Sequence, residues 1–337
     1  MRGRDGESLG LYLTDLHFTK NVPRRRKGDY VQDLMLKLAD VGEIVRERQL
    51  PRVFLGGDLT HAAIVSLDLG DRMIDEMESW GVPIYVCVGN HDVFGNSLKT
   101  LSSTWLGHIF RRSTVVQQLD AIYVGHICIR AVHYDDGIEE FLQSREYSLD
   151  SASYFFEKES ERQASKPKRV AKRMVEIIHA MIVTEGMHPS ARQVHPDDVM
   201  TRADLILSGD YHPGWEEPHV RADGTVFVNP GAMCRRSVSE SDCQRQVRAV
   251  ILKADLSVEY VALGSMRPVE KAFDLEGAQT QKVWDSELSD YMTELAEAKV
   301  DRVDVRARIE QLAVERELPD DVRLMALERY DQHVEAS

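Results

Sequence analysis

Four short polar runs, each closing an apolar stretch, carry the residues that could do chemistry: Thr14-Asp15-Leu16-His17, Gly56-Gly57-Asp58-Leu59-Thr60-His61, Gly89-Asn90-His91-Asp92 and Gly209-Asp210-Tyr211-His212. Carboxylates, imidazoles and one amide at strand-to-loop edges are where an α/β fold gathers its ligands. Asp15 and His17, two apart past a strand end, can lean toward one cation, and His212 can complete its shell. Asp58 can bridge that cation to a second, to which Asn90 offers a neutral oxygen. A shared carboxylate sets two cations about 3.5–4 Å apart, an arrangement that hydrolyses phosphate esters. His91 is placed to stabilise or protonate a leaving oxygen, with Asp92 orienting its ring. Taken singly these runs are ordinary: Asp-x-His is a common turn, and Gly-Asp after a strand is a common loop. Gly-Asn-His-Asp after a buried strand serves packing poorly, and the ordered series of four argues against coincidence.

The positioning elements follow from periodicity. Strands are expected at 9–14, 53–55 and 84–88, with amphipathic helices between them marked by Leu34, Leu38, Val41 and Val45, then by Met73, Ile74, Met77 and Trp80. This alternation implies parallel β-α-β units. Further strands are expected at 127–132, 180–184 and 204–208, then at 225–229, 247–253 and 258–263 as strands of a second sheet. Residues 137–175 are polar with weak periodicity. The expected class is α/β: two packed sheets flanked by helices. After about Glu276 helical periodicity takes over, with Leu288, Tyr291, Met292 and Leu295 on one face and Pro319-Asp320-Asp321 opening a last helix. The expected division is a domain over 1–276 and a helical cap or docking region over 277–337.

The chain has 337 residues, 43% of them hydrophobic, and no apolar run approaches the ~20 residues that span a bilayer. The N-terminal residues lead into too short an apolar stretch for a secretory signal. Cys87, Cys128, Cys234 and Cys243 lack C-x-x-C spacing, so reduced thiols and a cytoplasmic location are expected. A net charge of −14 excludes a protein that coats nucleic acid through general basicity, but not a nuclease whose cations and local basic rim meet the phosphates.

In its order of motifs the chain resembles the calcineurin-like metallophosphoesterases, whose pattern is D-x-H, G-D, G-N-H-D/E, a lone His after a strand, then G-H-x-H. Within them it is most similar to the SbcD-type nuclease subunits, in particular their phage-encoded forms. Gly57-Asp58-Leu59-Thr60-His61, Gly209-Asp210-Tyr211-His212-Pro213-Gly214 and Asn229-Pro230-Gly231-Ala232 with Arg235-Arg236 carry that finer likeness, over roughly residues 9–270. The resemblance implies a β-sandwich flanked by helices. It implies first-metal ligands at Asp15, His17, Asp58 and His212, second-metal ligands at Asp58 and Asn90, a transition-state histidine at His91, and a strand-placing role for His61. A solvated helix-capping histidine is the plainer reading of His61.

Two positions depart from the pattern. The family's lone histidine aligns with Glu185, and the first histidine of G-H-x-H is Asp210. Both carboxylates are expected as second-metal ligands, which makes the site more anionic and favours Mn²⁺ or Mg²⁺ over Fe²⁺ or Zn²⁺. His188 and His179 are the alternative suppliers of the missing imidazole, but a surface or structural role is the expectation for each. Arg24, Arg25, Arg26 and Lys27, in the loop that leaves Asp15 and His17, are expected to reach backbone phosphates, as are Arg235 and Arg236. The expected function is a two-metal, Mn²⁺-dependent DNA nuclease, exonuclease and single-strand endonuclease, in DNA repair, recombination or phage replication. The resemblance implies a homodimer with an SbcC-like ATPase and no membrane partner. The alternatives are a small-molecule or phosphoprotein phosphodiesterase, and a catalytically weak DNA-end-binding subunit.

Overall fold

The computed structural model describes residues 8–153, 171–186, 191–280, 305–316 and 318–335. Its contacts divide the chain into two units, Met1–Val269 and Glu270–Ser337.

The first unit is built on two six-stranded mixed sheets. One contains β1 (Ser8–Leu13), β2 (Val53–Leu55), β3 (Ile84–Val86) and β4 (Val116–Gln118), all parallel, in the order β12-β11-β1-β2-β3-β4. On its other side β11 (Arg248–Lys253) runs antiparallel to β1, and β12 (Val258–Ala262) antiparallel to β11. The second sheet is ordered β5-β6-β7-β8-β10-β9, from β5 (Ala121–Val124), β6 (Ile127–Val132), β7 (Arg173–His179), β8 (Leu205–Gly209), β9 (His219–Val220) and β10 (Val226–Val228). Its inner strands β6, β7, β8 and β10 are parallel.

Alternation along each strand makes the layers. From the first sheet, Tyr12, Phe54, Cys87, Val250 and Leu252 turn inward to meet Ile129, Val175, Ile177, Leu205 and Leu207 of the second. Leu11, Leu13, Val53, Leu55, Ile84 and Val86 turn outward onto α1 (Tyr30–Glu47), α2 (Leu67–Ser79) and α3 (Trp105–Arg112). The second sheet's outer face, Cys128, Met174, Ile178, Ile206 and Phe227, is covered by α4 (Ile138–Leu142) and α5 (Arg145–Ser153). Helix α1 begins where the Asp29 carboxylate caps Gln32 N at 2.9 Å, and it buries Leu34, Leu38, Val41 and Val45, the stripe that the spacing predicts. Cys87, Cys128 and Cys234 are buried free thiols, and Cys243 is a partly exposed one. Among the described residues no helix is long and apolar enough to cross a membrane.

Three strand expectations are corrected. Residues 180–184 form no strand, only an isolated bridge from Ile182 to Val194; the strand there is β7, ending at His179. Glu176 hides it, because a carboxylate interrupts the apolar run. It is nonetheless fully buried, since Arg130, Tyr147 and Thr201 satisfy it. Residues 248–253 and 258–262 belong to the first sheet, because β11 pairs with β1. The polar middle region holds α4, α5 and, at its end, β7, whose amphipathic patterns are too short to stand out.

In the second unit, helices Val305–Glu315 and Asp320–Glu335 pack through Ile309, Ala326 and Leu327, with an Arg323–Glu310 ion pair at 2.7 Å. The second of these begins at the expected Pro319-Asp320 start. Leu288, Tyr291, Met292, Leu295 and His188 lie outside the described residues.

Candidate metal centre

Register delivers the site. Leu13 pairs with Leu55 and Leu55 with Val86, so the loops carrying Asp15, Asp58 and Asn90 leave side by side from the carboxyl edge of the first sheet. In the second sheet His179 pairs with Gly209, which sets Asp210 next to His179. The backbone is unusual at these exits. Asp15, His17, Asp58 and Asp210 all take left-handed φ values of 54°, 48°, 52° and 75°. Non-glycine residues adopt that region sparingly, and such outliers cluster where geometry serves function. Main-chain bonds hold the turns: Asp15 N to Gly57 O at 3.1 Å and His17 N to Asp58 O at 2.9 Å. At Gly89 there is room for no side chain, since a methyl group there would overlap the Asp58 carboxylate.

Three groups of ligand atoms, each gathered within 4.8 Å, result among the described residues: His17, His61 and His91; Asp15, His17, Asp58 and His212; and Asp58, His179 and Asp210. Asp58 belongs to both groups that contain carboxylates. In the group with Asp15, His17 Nε2 lies 2.8 Å from His212 Nε2 and 3.5 Å from Asp58 Oδ2, and His212 Nε2 lies 3.5 Å from Asp15 Oδ1. In the group with Asp210, His179 Nε2 lies 3.4 Å from Asp58 Oδ1 and 3.1 Å from Asn90 Oδ1. With its amide turned, Asn90 would instead donate to both Asp58 oxygens, at 3.2 and 3.3 Å. His179 Nδ1 meets the Gly56 carbonyl at 2.7 Å; a carbonyl only accepts, so Nδ1 carries the proton and Nε2 faces the acids. Metal-ligating histidines are held in this way.

Lone pairs outnumber protons here, and the ionisation behaviour shows it. Burial raises the Asp15 carboxyl, but hydrogen bonds from His17 and His212 outweigh it and hold Asp15 well below the usual carboxylate range. Burial also works against a charged His179, yet the Asp58 charge and hydrogen bond lift it well above the ordinary imidazole value. His212 is raised too, against its burial, through its bond to Asp15. His17 moves the other way, because burial dominates. Asp210 is pushed up to about 6 by burial. Buried carboxylates gathered on imidazoles are a donor set that a divalent cation fits.

The expected site residues are not all assembled. Asp15, His17, Asp58, Asn90, Asp210 and His212 converge. Glu185 does not: it is exposed and absent from these groups, and His179 holds the position expected of it. The reason is the true end of β7, six residues earlier. Treating Glu176 as a buried paired acid, and so reading a strand over residues 173–179, would have found His179.

His91 stands beside the centre, with Nε2 4.0 Å from Asp58 Oδ2 and its main-chain N–H on Asp58 Oδ1 at 2.9 Å. Its ring is oriented by the His61 carbonyl, 2.8 Å from Nδ1, and not by Asp92. Asp92 instead accepts from Gly89 N at 2.9 Å and Thr60 N at 3.2 Å, which ties two ligand loops together, and burial lifts its carboxyl to about 7. Among the basic residues, Arg26 is bound to Asp33 at 2.8 Å, and buried Arg235 donates to the Arg267 and Cys243 carbonyls. Both are engaged within the fold, which corrects their expected place on phosphates. Arg24 and Lys27 are exposed and Arg25 half-buried. Arg236 does reach the site, with Nη2 3.0 Å from His61 Nε2.

No family model and no curated protein matches this chain. Among solved structures it is similar to the TT1561 protein of Thermus thermophilus, at 9% identity and a TM-score of 0.42, covering 75% of this chain and 97% of that one. It is also similar to a dimetal phosphatase from Danio rerio, at 11% identity and a TM-score of 0.38, covering 77% of this chain and 100% of that one. Both superpositions are loose and add nothing to what the side chains of this chain establish.

Proposed function

We propose that this protein is a two-metal phosphoesterase that cleaves phosphodiesters, with DNA as its substrate. One observation carries the reading: two groups of buried and half-buried ligands meet at a single shared carboxylate, Asp58. Asp15, His17, Asp58 and His212 would hold one cation, and Asp58, Asn90, His179 and Asp210 the other. When bound, such a pair supplies Lewis acidity and charge neutralisation at a phosphoryl group. The mixed oxygen and imidazole donors suit Mn²⁺. Around the pair, His91 Nε2 lies 4.0 Å from Asp58 Oδ2 on a partly exposed ring, where it can hold or give a proton to the leaving oxygen. Asp92 fixes the Gly89–Asp92 turn to Thr60, so that Asn90 and His91 keep their aim.

The resemblance to SbcD-type nucleases supports DNA as the substrate, a homodimer and an SbcC-like ATPase partner. One observation favours a second reading, a phosphodiesterase for small esters: Arg26 and Arg235 are engaged within the fold, which leaves less cationic surface for a long polyanion. The test offers Mn²⁺-loaded protein linear DNA, single-stranded circles and bis-p-nitrophenyl phosphate, beside an Asp58→Asn control. Degradation of DNA absent in the control supports the nuclease, and turnover of the small ester alone supports the second reading. No metal-dependent turnover of any of them overturns both.

A further inference from the structure

Thr14 precedes Asp15 in the chain, and its hydroxyl touches the Asp15 carboxylate directly. Thr14 is fully buried, with Oγ1 2.8 Å from Asp15 Oδ2. An ionised carboxylate only accepts, so the hydroxyl donates. The main-chain N–H of Asp210 reaches the same carboxylate, 3.1 Å from Oδ2 and 3.3 Å from Oδ1. Oδ2 is therefore met by two donors of the chain. Oδ1 instead faces the imidazoles, 3.5 Å from His212 Nε2 and 3.7 Å from His17 Nε2. Two glycines make the room for this hydroxyl: a β-carbon on Gly56 or on Gly209 would collide with Thr14 Oγ1. Gly56 follows β2 and leads to Asp58, and Gly209 ends β8 and leads to Asp210. The hydroxyl is thus lodged where strand ends of both sheets deliver their ligand loops. Packing alone does not ask for it, because valine has nearly the same shape and would bury no polar group.

We propose that Thr14 is a positioning residue: its hydroxyl fixes Asp15 Oδ2, so that Oδ1 is the oxygen presented to a divalent cation held with His17, Asp58 and His212. The inference rests on the two-metal reading for its ligand and on hydrogen bonds within the chain for the orientation of Asp15.

Calorimetric titration of the chelator-treated protein with Mn²⁺ tests this. The step that belongs to Asp15 is the one that His179→Asn leaves in place. Thr14→Val keeps the shape and removes the donor, and should weaken that step roughly 10-fold, as loss of an outer hydrogen bond to a metal ligand does. Thr14→Ser keeps the hydroxyl and loses the methyl group, and should stay within about 2-fold of the wild type. The other step, drawn by His179 and Asp210, should move by no more than about 2-fold in either variant. An Asp15 step unchanged in Thr14→Val overturns the proposal. So does an equal loss in Thr14→Val and Thr14→Ser, which assigns the effect to the methyl group, or an equal loss in both steps, which assigns it to general distortion. A wild type that binds Mn²⁺ in two steps but hydrolyses no ester overturns the hydrolase reading alone, and the affinities of the variants still decide this one. A wild type that binds no Mn²⁺ overturns both.

Discussion

The fold buries carboxylates in two places and treats them oppositely. On the second sheet, Glu176 receives Arg130 through two nitrogens at 2.6 and 2.9 Å, the Tyr147 hydroxyl at 2.5 Å and the Thr201 hydroxyl at 2.6 Å. Every partner is a donor, and the network closes on itself. At the carboxyl edges of both sheets, Asp15, Asp58 and Asp210 face imidazoles, an amide and one another. Burial alone thus does not distinguish a structural acid from a functional one. The supply of protons does, and the group with too few is the one shaped for cations.

Four experiments sharpen or break this contrast. The largest effect is expected from Asp58→Asn, which removes the shared charge. It should cut Mn²⁺-dependent hydrolysis of bis-p-nitrophenyl phosphate by roughly 10³-fold, about 4 kcal/mol of transition-state stabilisation, while the circular dichroism spectrum is kept. Glu176→Ala should do the reverse, leaving Arg130 as a buried unpaired cation at a cost of about 3–5 kcal/mol in urea unfolding. If Glu176→Ala unfolded no more easily than the wild type, the closed-network side of the contrast would fail. Third, Mn²⁺ at about 100 times its dissociation constant should add about 2.7 kcal/mol of stability to chelator-treated wild type. Asp58→Asn should lose most of that gain and Glu176→Gln should keep it; an equal gain in all three would place the cation elsewhere. The smallest effect separates two residues near one strand. His179→Asn should weaken the second Mn²⁺ step in a calorimetric titration by about 10- to 100-fold, whereas exposed Glu185→Gln should leave both steps and, within about 0.5 kcal/mol, the stability unchanged.

The readable part of the molecule was the centre of the first sheet. Strands β2 and β3 are short and wholly apolar, β1 is apolar from Leu9 onward apart from Gly10, and each ends abruptly in a polar run, so Asp15, Asp58 and Asn90 announce themselves. The paired sheets flanked by helices also followed from this rhythm, as did the helices at the C-terminal end. The second sheet hid its edge because β7 carries a charged residue whose partners lie 46, 29 and 25 positions away. Only tertiary pairing makes Glu176 compatible with a strand interior, and no local pattern reports it. The same non-locality concealed the engagement of Arg26, bound to Asp33 at the start of α1 and to the Arg235 carbonyl across the fold. A run of basic residues looks alike in sequence whether it faces solvent or is already engaged.

The left-handed turns at Asp15, Asp58 and Asp210 have a practical consequence. In those conformations the main chain itself aims the carboxylates, and among side chains with a β-carbon, aspartate and asparagine tolerate that geometry best. Asparagine exchanges at these positions therefore remove ionic character with little disturbance of loop shape, whereas a β-branched replacement would distort the hinge of the turn and confuse misfolding with lost chemistry.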